Sequence, residues 1–476
     1  MFKAPYLTPL ARFTPKLWRY SIREWARILL PAGLAWTVAL LTVGSPWTIY
    51  AFAIAGAVGL LFAEFEPKNR HLDRLLVDAI QYQLSSRSQY SADPEAIDDL
   101  VVLDDGAAVG VVRVSALDFE MQKESNLKTN RNIVQDFYKQ LDFPVHIHSR
   151  QREVDLSKYE GASGSAVVSE HYVCVRVAPE AVSIFDFRSG AEDRDQVDRM
   201  VEVRKRCASV EKNLTRNDLR SKTLDEDEIR DFVSEFDVDS TGFDRRYFRS
   251  ESGGEEEFHR ALYVSDYPAQ LPFRWLSDLL GLETPGLVDV VQSVEPLSDK
   301  DRKKRRRKLG LLKSELVKRL HPVRRSELEA VEAEQDVAQE YVTEGEDEWV
   351  NYGVYIVARG ESKDEVDETF ERITSFLEPE ISYREPYLET PDAARTVSPF
   401  DLDALDKKWF GLASSAATSF SFGARNIVEE GGVMVGEDPE TDIPVILNRF
   451  LWQAGHVGII GMSGSGKTYL SLLLLW

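Results

Sequence analysis

A glycine-rich segment near residue 460 carries residue types and spacing that bind phosphate. It runs from Gly461 to Thr468 as Gly-Met-Ser-Gly-Ser-Gly-Lys-Thr and fits G-x-x-x-x-G-K-[ST] at every fixed position. Its glycines let the backbone turn so that successive N–H groups point inward and form an anion-binding nest. A helix that begins near Lys467 would add its positive end to that nest. The segment therefore predicts nucleotide binding, and the alternative is a strand-to-helix turn without a ligand.

The motif assigns a role to each of its positions. Lys467 is the candidate catalytic residue because its ammonium group would reach the β- and γ-phosphates of ATP. Thr468 is the candidate metal ligand because its hydroxyl would bind Mg²⁺. The predicted nucleotide-binding residues are Gly461, Met462, Ser463, Gly464, Ser465, Gly466, Lys467 and Thr468.

The elements around this loop are expected to be a strand and a helix. Residues 457–460 form a short apolar run typical of a buried parallel strand, and residues 469–476 have helical character. P-loop NTPases also need an acidic residue for Mg²⁺ and usually an arginine finger, which lie downstream of the loop. The chain ends eight residues after Thr468. We therefore expect the N-terminal part of a larger ATPase, interrupted in the first helix of its motor domain.

Composition limits the classes of partner. The 476 residues include 58 Lys and Arg against 80 Asp and Glu, a net charge of −22. This acidity argues against a surface that binds nucleic acid throughout, and it suits a halophilic source. Cys174 and Cys207 have no C-x-x-C partner, so neither a disulfide framework nor a zinc site is expected. His146 and His148 alternate on one predicted strand face, but no third metal ligand is near, so core or surface positions are favoured.

An uncharged stretch near the N-terminus predicts a membrane anchor. Residues 28–63 contain no charged side chain, and a Gly-Ser-Pro turn divides them into apolar segments 28–43 and 47–63. Each segment spans roughly 24 to 26 Å as a helix, close to the thickness of a bilayer core. Basic residues precede and follow the pair, which places both ends in the cytoplasm. Residues 1–66 are therefore expected to form a transmembrane hairpin in the cell membrane, with a buried soluble hairpin or a signal peptide as alternatives.

Alternating helical and strand patterns follow the anchor. Residues 67–96 have the pattern of a juxtamembrane helix and linker, and 97–395 that of an α+β domain. Three prolines in 384–400 predict a linker into 396–476, the start of a RecA-like P-loop domain. The fold class is therefore predicted as α/β, with the α+β domain between a two-helix transmembrane hairpin and the P-loop domain. The predicted strands are 100–103, 107–114, 144–150, 260–264, 288–294 and 350–358. The predicted helices are 126–141, 197–213, 225–236, 272–280 and 365–377.

Within this domain, residues 298–345 combine two runs of opposite charge. Residues 300–308 contain eight Lys or Arg, and residues 327–348 contain ten Asp or Glu. The basic run is a candidate phosphate-binding patch for DNA. The favoured interpretation is a charged helical hairpin whose acidic arm neutralises the basic one.

Two segments before the P-loop resemble a known family. Residues 431–438 read Gly-Gly-Val-Met-Val-Gly-Glu-Asp, and residues 443–450 read Ile-Pro-Val-Ile-Leu-Asn-Arg-Phe. They are similar to the glycine-containing strand and the Pro-Val-x-Leu-Asp-Arg-Phe segment of the conjugation ATPases of type IV secretion systems (the TraC/TrbE/CagE group). Asn448 stands where this family has Asp, and Thr468 where Ser is common. Weaker similarity covers residues 143–147, Tyr267, Pro268 and Trp275, and the leading hairpin resembles the PrgI-like subunit fused to some of these ATPases.

The resemblance implies a function for the whole protein. It implies an ATPase that uses ATP and Mg²⁺, acts as a homo-hexamer at the cytoplasmic mouth of a secretion channel, and assembles the channel or drives transfer of DNA or protein. The implied partners are other channel subunits and membrane lipid, with only indirect contact to DNA. A coupling protein of the same systems is disfavoured because its P-loop follows the hairpin much sooner than the roughly 390 residues here. A HerA/FtsK-type DNA pump and a membrane-anchored scaffold with an incomplete P-loop stay as alternatives.

Overall fold

The computed structural model describes residues 94–297 and 338–448 with short gaps, residues 458–473, and three short strand segments before residue 22. The predicted membrane hairpin in 28–63 and the basic run 300–308 lie outside the described residues. Among the described residues, no helix combines the length and apolar character that a bilayer crossing requires.

The described elements are mostly strands. The strands are β1 (Lys3–Pro5), β2 (Lys16–Leu17), β3 (Tyr20–Ser21), β4 (Glu95–Ile97), β5 (Leu100–Val102), β6 (Ala108–Val114), β7 (Val145–Asp155), β8 (Ser165–Val177), β9 (Ser221–Thr223), β10 (Asp239–Phe243), β11 (Phe248–Ser252), β12 (Glu255–Asp266), β13 (Gln270–Pro272), β14 (Leu287–Pro296), β15 (Trp349–Gly360), β16 (Ser382–Arg384), β17 (Trp409–Leu412), β18 (Val433–Glu437) and β19 (Pro444–Leu447). The helices are α1 (Glu124–Lys139), α2 (Glu192–Arg216), α3 (Glu226–Phe236), α4 (Trp275–Leu280), α5 (Lys363–Leu377), α6 (Thr390–Val397), α7 (Ala413–Ala416) and α8 (Lys467–Leu473).

The main sheet consists of two units with the same order of elements. The first runs β6-α1-β7-β8-α2-β9, and the second runs β12-α4-β14-β15-α5-β16. In space the strands of each unit lie in the order fourth, first, third, second, which gives β9-β6-β8-β7 and β16-β12-β15-β14. All of these pairings are antiparallel. Each unit therefore has the split β-α-β arrangement of ferredoxin-like folds.

The two units join edge to edge into one sheet. β7 and β14, the second strands of the two units, pair antiparallel from Val145 opposite Val294 to Ser149 opposite Val290. Because these two equivalent strands run antiparallel to each other, the two units are related by an approximate two-fold axis at the junction. β5 and β4 extend the sheet beyond β6, and β11 and β10 extend it beyond β12.

Both faces of this sheet are covered. On one face, α1, α2, α4 and α5 pack into a single core that includes Phe137, Val210, Trp275 and Phe370. α2 lies directly on β6, since a Cβ added at Gly110 would meet the Sγ of a cysteine of α2 at 2.4 Å. On the opposite face, separate clusters place α3 over the first unit and α6 over the second. The central strands are therefore covered on both sides, and they bury polar as well as apolar side chains.

The predicted fold class is wrong. The described residues form mostly antiparallel sheet with few helices, and every ladder between described strands is antiparallel. The expected start of a RecA-like domain in 396–476 instead contributes β17, which pairs with β15, and the antiparallel pair β18 and β19. The expected linker 384–400 is also wrong, because it contains α6. The prediction of a RecA-like domain relied on the P-loop motif, which specifies a local turn. Strand direction is instead decided by pairing between segments that are far apart in the sequence.

Candidate functional site

Residues 461–468, predicted to bind nucleotide, form one turn that leads into α8. Gly464 and Gly466 have φ angles of +84° and +81°, which glycine adopts without steric cost. The Ser465 N–H donates to the Met462 carbonyl at 3.3 Å, and the Lys467 Nζ donates to the same carbonyl. The structure therefore brings the loop residues together, and it places the lysine ammonium group at the mouth of the turn.

This loop is open to solvent. Ile460 and Met462 are 99% and 85% exposed, and Tyr469 on α8 is 74% exposed. Residues 458–460, expected to end a buried parallel strand, belong to no strand, and Val457 lies outside the described residues. The loop's geometry is consequently set by its own turns and by α8.

The segments that carry the family resemblance lie in the β18–β19 pair. The Asn448 N–H donates to the Glu429 Oε2 at 2.6 Å. The Glu429 Oε1 accepts from the Arg220 Nη1 at 3.5 Å. Ile446 packs against Leu156 beside β7. These contacts attach the pair to the first unit of the main sheet.

A second candidate site, which the sequence did not reveal, is a cavity at the junction of the two units. Its volume is about 60 Å³, and it lies between the sheet and the helices α3 and α6 that cover it. The sheet contributes residues of β7, β11, β12, β14 and β15. The cavity is lined by His148, Ser149, Arg150, Phe236, Phe248, His259, Asp289, Val290, Val291, Val357, Arg359, Ala394, Val397, Ser398 and Pro399.

Arg359 is the centre of an ion network beside this cavity. Its Nε lies 3.0 Å from the Asp289 Oδ2, and its Nη1 lies 2.9 Å from the Glu257 Oε1. The Asp289 Oδ1 also accepts the Gln151 N–H at 3.0 Å. Burial by itself would lower the pKa of Arg359, but the two carboxylates outweigh it and raise that pKa. Burial raises the pKa of Glu257. The network therefore joins four neighbouring strands.

Arg150 is the second guanidinium group in the cavity wall. Its Nη1 donates to the Glu235 carbonyl at 3.1 Å and lies 3.9 Å from the Glu235 Oε1. Its guanidinium carbon lies 4.3 Å from the ring centre of Phe236, a cation–π distance. Burial, followed by repulsion from Arg359, lowers the pKa of Arg150.

The histidine pair noted in the sequence is buried on β7. His146 and His148 are 7% and 2% exposed, with ring centres 6.4 Å apart. Only His148 is in the cavity wall, and its Nε2 is buried without a hydrogen-bond partner among the described residues. Burial lowers the pKa of His146 to about 4 and that of His148 well below its usual range, so both rings are neutral at pH 7. Within the described part of the chain, no group of three or more His, Cys, Asp or Glu side chains is placed to hold a metal.

The sequence pointed to one strand of the cavity wall but not to the residues that other strands bring to it. The alternation of His146 and His148 on one strand face was visible in the sequence, and of these two only His148 lines the cavity. His259, Asp289 and Arg359 come from three other strands, and no spacing rule links them to β7. No protein-family model matches the chain, and no curated protein matches it significantly.

Proposed function

We propose that this chain is the nucleotide-binding subunit of a type IV secretion-like machine. It would use ATP and Mg²⁺ to assemble the channel or to drive transfer of DNA or protein. The observation that carries the proposal is the segment Gly461–Thr468, which satisfies the P-loop pattern and forms one turn with Gly464 and Gly466 at positive φ. The resemblance of residues 431–438 and 443–450 to the conjugation ATPases supports this choice of machine.

In this proposal each loop residue has a defined task. The backbone N–H groups of the turn hold the phosphates, as in other glycine-rich loops. The Lys467 ammonium group, which now donates to the Met462 carbonyl, exchanges that acceptor for a phosphate oxygen. The Thr468 hydroxyl at the start of α8 binds Mg²⁺.

We also propose the oligomeric state, the partners and the location of the enzyme. Nucleotide hydrolysis by P-loop enzymes requires an acidic Mg²⁺ partner and a stabilising arginine in addition to the loop. The proposed working form is a homo-hexamer bound to other channel subunits. Membrane association is proposed from the uncharged residues 28–63, with the large domains on the cytoplasmic side.

The first test removes the positive charge of Lys467 in the protein expressed in its source cells. Lys467→Ala should reduce ATP hydrolysis to background, because the β- and γ-phosphates lose their cation, while the fold is retained. Thr468→Ala should also impair ATP hydrolysis, because Mg²⁺ loses the hydroxyl group that binds it. Lys205→Ala is the matched control, since this lysine of α2 is 79% exposed and its removal deletes the same charge elsewhere. Hydrolysis that survives Lys467→Ala would contradict the proposal.

The same preparations separate the alternatives. Secretion of DNA or protein should fall with Lys467→Ala, and the protein should sediment with membranes and channel subunits. A DNA pump would instead show hydrolysis stimulated by duplex DNA, with a steep dependence on salt. A scaffold would bind no nucleotide and would support assembly equally well with either variant.

A further inference from the structure

Arg150, in the wall of the junction cavity, has a guanidinium edge that no described residue occupies. The one hydrogen bond of this side chain to the described residues runs from its Nη1 to the Glu235 carbonyl. Its Nε and Nη2 therefore have no partner there, and neither of them is a fully enclosed atom, in contrast to the His148 Nε2. Two adjacent N–H groups of a guanidinium fork can bind both oxygens of one carboxylate. Arg150 thus offers an accessible, unused anion-binding edge.

The charges that line the cavity are positive in sum. Arg150 and Arg359 line it against the single carboxylate of Asp289. All three nitrogens of Arg359 are already engaged, so this residue holds Asp289 in place and is not itself open to a ligand. Glu235 and Glu257 lie outside the wall, and Glu235 is partly exposed, so that water weakens its attraction to Arg150 across 3.9 Å. A monovalent anion at Arg150 would therefore neutralise the wall.

The protein compensates the charge of Arg150 only in part. Burial, followed by repulsion from Arg359, lowers the pKa of Arg150, and the nearby carboxylates do not make up the difference. The guanidinium group nevertheless stays protonated at pH 7, because its ordinary pKa is above 12. A largely buried cation that lacks part of its hydration costs free energy. An anion that supplies two charge-assisted hydrogen bonds would recover part of this cost.

The size and the remaining lining of the cavity limit the kind of anion. Its volume of about 60 Å³ corresponds to about four water-sized positions, which suits a ligand of roughly five non-hydrogen atoms. Phe248, Val291, Val357 and Ala394 line it and belong to one apolar cluster. An inorganic dianion would leave this apolar surface without contacts and would bring a second charge into the site. A short monocarboxylate uses both the charge and the apolar surface.

We propose that the junction cavity binds a small monocarboxylate, whose carboxylate group pairs with the Nε and Nη2 of Arg150 and whose short alkyl group packs against Val291 and Val357. Because the wall includes residues of both α3 and α6, this ligand would bridge the helices that cover the two units. The site is separate from the P-loop, so the proposal does not depend on nucleotide binding.

The test uses propionate and propionamide, which have the same shape and differ in charge. Saturation-transfer NMR on the whole chain, in a buffer without carboxylates, should show saturable binding of propionate with a dissociation constant on the order of 1 mM. Propionamide should bind at least about tenfold more weakly, because it cannot form the charge-assisted pair with Arg150. This comparison needs no substitution in the protein.

Three variants locate the binding. Arg150→Gln removes the proposed partner and should weaken propionate binding at least about tenfold. Arg152→Gln is the matched control, because it deletes the same charge two residues away on β7, outside the cavity wall, and binding should stay within about twofold. Ala394→Leu should fill the cavity and abolish binding with Arg150 intact. Thermal unfolding of each variant checks its folding.

Several outcomes would overturn the proposal. One is the lack of saturable propionate binding at about tenfold the expected constant, which would show that the pairing of Arg150 with α3 is its whole role. Another is equal binding of propionamide, which would show that the charge argument is wrong. Equal weakening by Arg150→Gln and Arg152→Gln, or full binding by folded Ala394→Leu, would place the ligand elsewhere. None of these results would alter the effect of Lys467→Ala on hydrolysis.

Discussion

At the scale of single residues, Arg359 does most to hold the junction together. Its guanidinium group lies on β15 and contacts Asp289 on β14, Glu257 on β12 and the Gln151 carbonyl on β7. The side chain is only 7% exposed. A buried guanidinium group is tolerated because carboxylates and a carbonyl replace its hydration. The same arrangement makes the loss of one member costly.

Arg359→Ala should lower the free energy of unfolding by about 3 kcal/mol, because it leaves the half-buried carboxylates of Asp289 and Glu257 without their cation. The measurement is denaturant unfolding followed by circular dichroism. Arg230→Ala is the control: this arginine is 58% exposed and forms pairs within α3. Exposed pairs of this kind contribute little, so a change within about 0.5 kcal/mol is expected. Equal effects of the two substitutions would show that water replaces the network at no cost.

At the scale of elements, local periodicity located several segments well. The predicted strands 100–103 and 107–114 are confirmed by β5 and β6, and the turn that joins these paired strands has Gly106 at a φ of +76°. The predicted helix 365–377 is confirmed within α5, and the predicted strand 350–358 lies within β15. These predictions succeeded because turn glycines, caps and apolar spacing act between near neighbours. β10 and β11 were missed because their polar residues obscure a strand pattern. β8 was also missed, although its 13 residues include five valines.

Pairing between strands was not predictable in the same way. β6 is buried at all but one position because α2 covers one of its faces and α3 covers the other. Burial of this kind does not indicate which strands pair with β6 or in which direction they run. Which strands adjoin each other is decided by packing over long sequence separations. The cavity residues depend on this pairing, so of these residues only His148 on β7 was visible in the sequence.

The elements that flank the P-loop determine how well it can bind nucleotide. The described part of α8 has seven residues, and residues 458–460, before the loop, belong to no strand. Short helices and lone strands are marginal without packing partners. Residues 1–476, purified alone, should therefore bind ATP weakly or not at all and should not hydrolyse it. Calorimetric titration and a phosphate-release assay check this. Clear turnover by these 476 residues, abolished by Lys467→Ala, would contradict it.

At the scale of the whole molecule, the two units differ mainly in their connections. In the first unit, β7 ends at Asp155 and β8 begins at Ser165, a short hairpin. In the second, the equivalent strands are separated from Pro296 to Trp349. The oppositely charged runs in 298–345 thus lie within a long insertion between two paired strands. This unequal spacing hides the repeated order of elements in the sequence.

The sheet also buries several neutral histidines, which links its stability to pH. Burial lowers the pKa of each: to about 4 for two of them and well below the usual range for the other two. Their unfolded pKa is about 6.5. Between these values the unfolded chain binds more protons than the folded chain, so acid favours unfolding. The four histidines are His146, His148, His171 and His259.

The stabilising contribution of these neutral histidines to the free energy of unfolding should therefore be fully present above about pH 6.5. It should be lost progressively as the pH drops from about 6.5 towards 4. For a histidine whose pKa is lowered from 6.5 in the unfolded chain to about 4 in the folded chain, the free energy of unfolding falls by about 3 kcal/mol across this pH range. Half-buried Glu257 and buried Asp347 have raised pKa values, so they act in the opposite direction and reduce the change of stability with pH. Denaturant unfolding at pH 7 and pH 5 measures the change. In His146→Phe the difference between the two pH values should shrink, because one proton-binding group is gone from the unfolded chain. A free energy of unfolding that is equal at both pH values in the unsubstituted protein would contradict the burial of neutral histidines in this sheet.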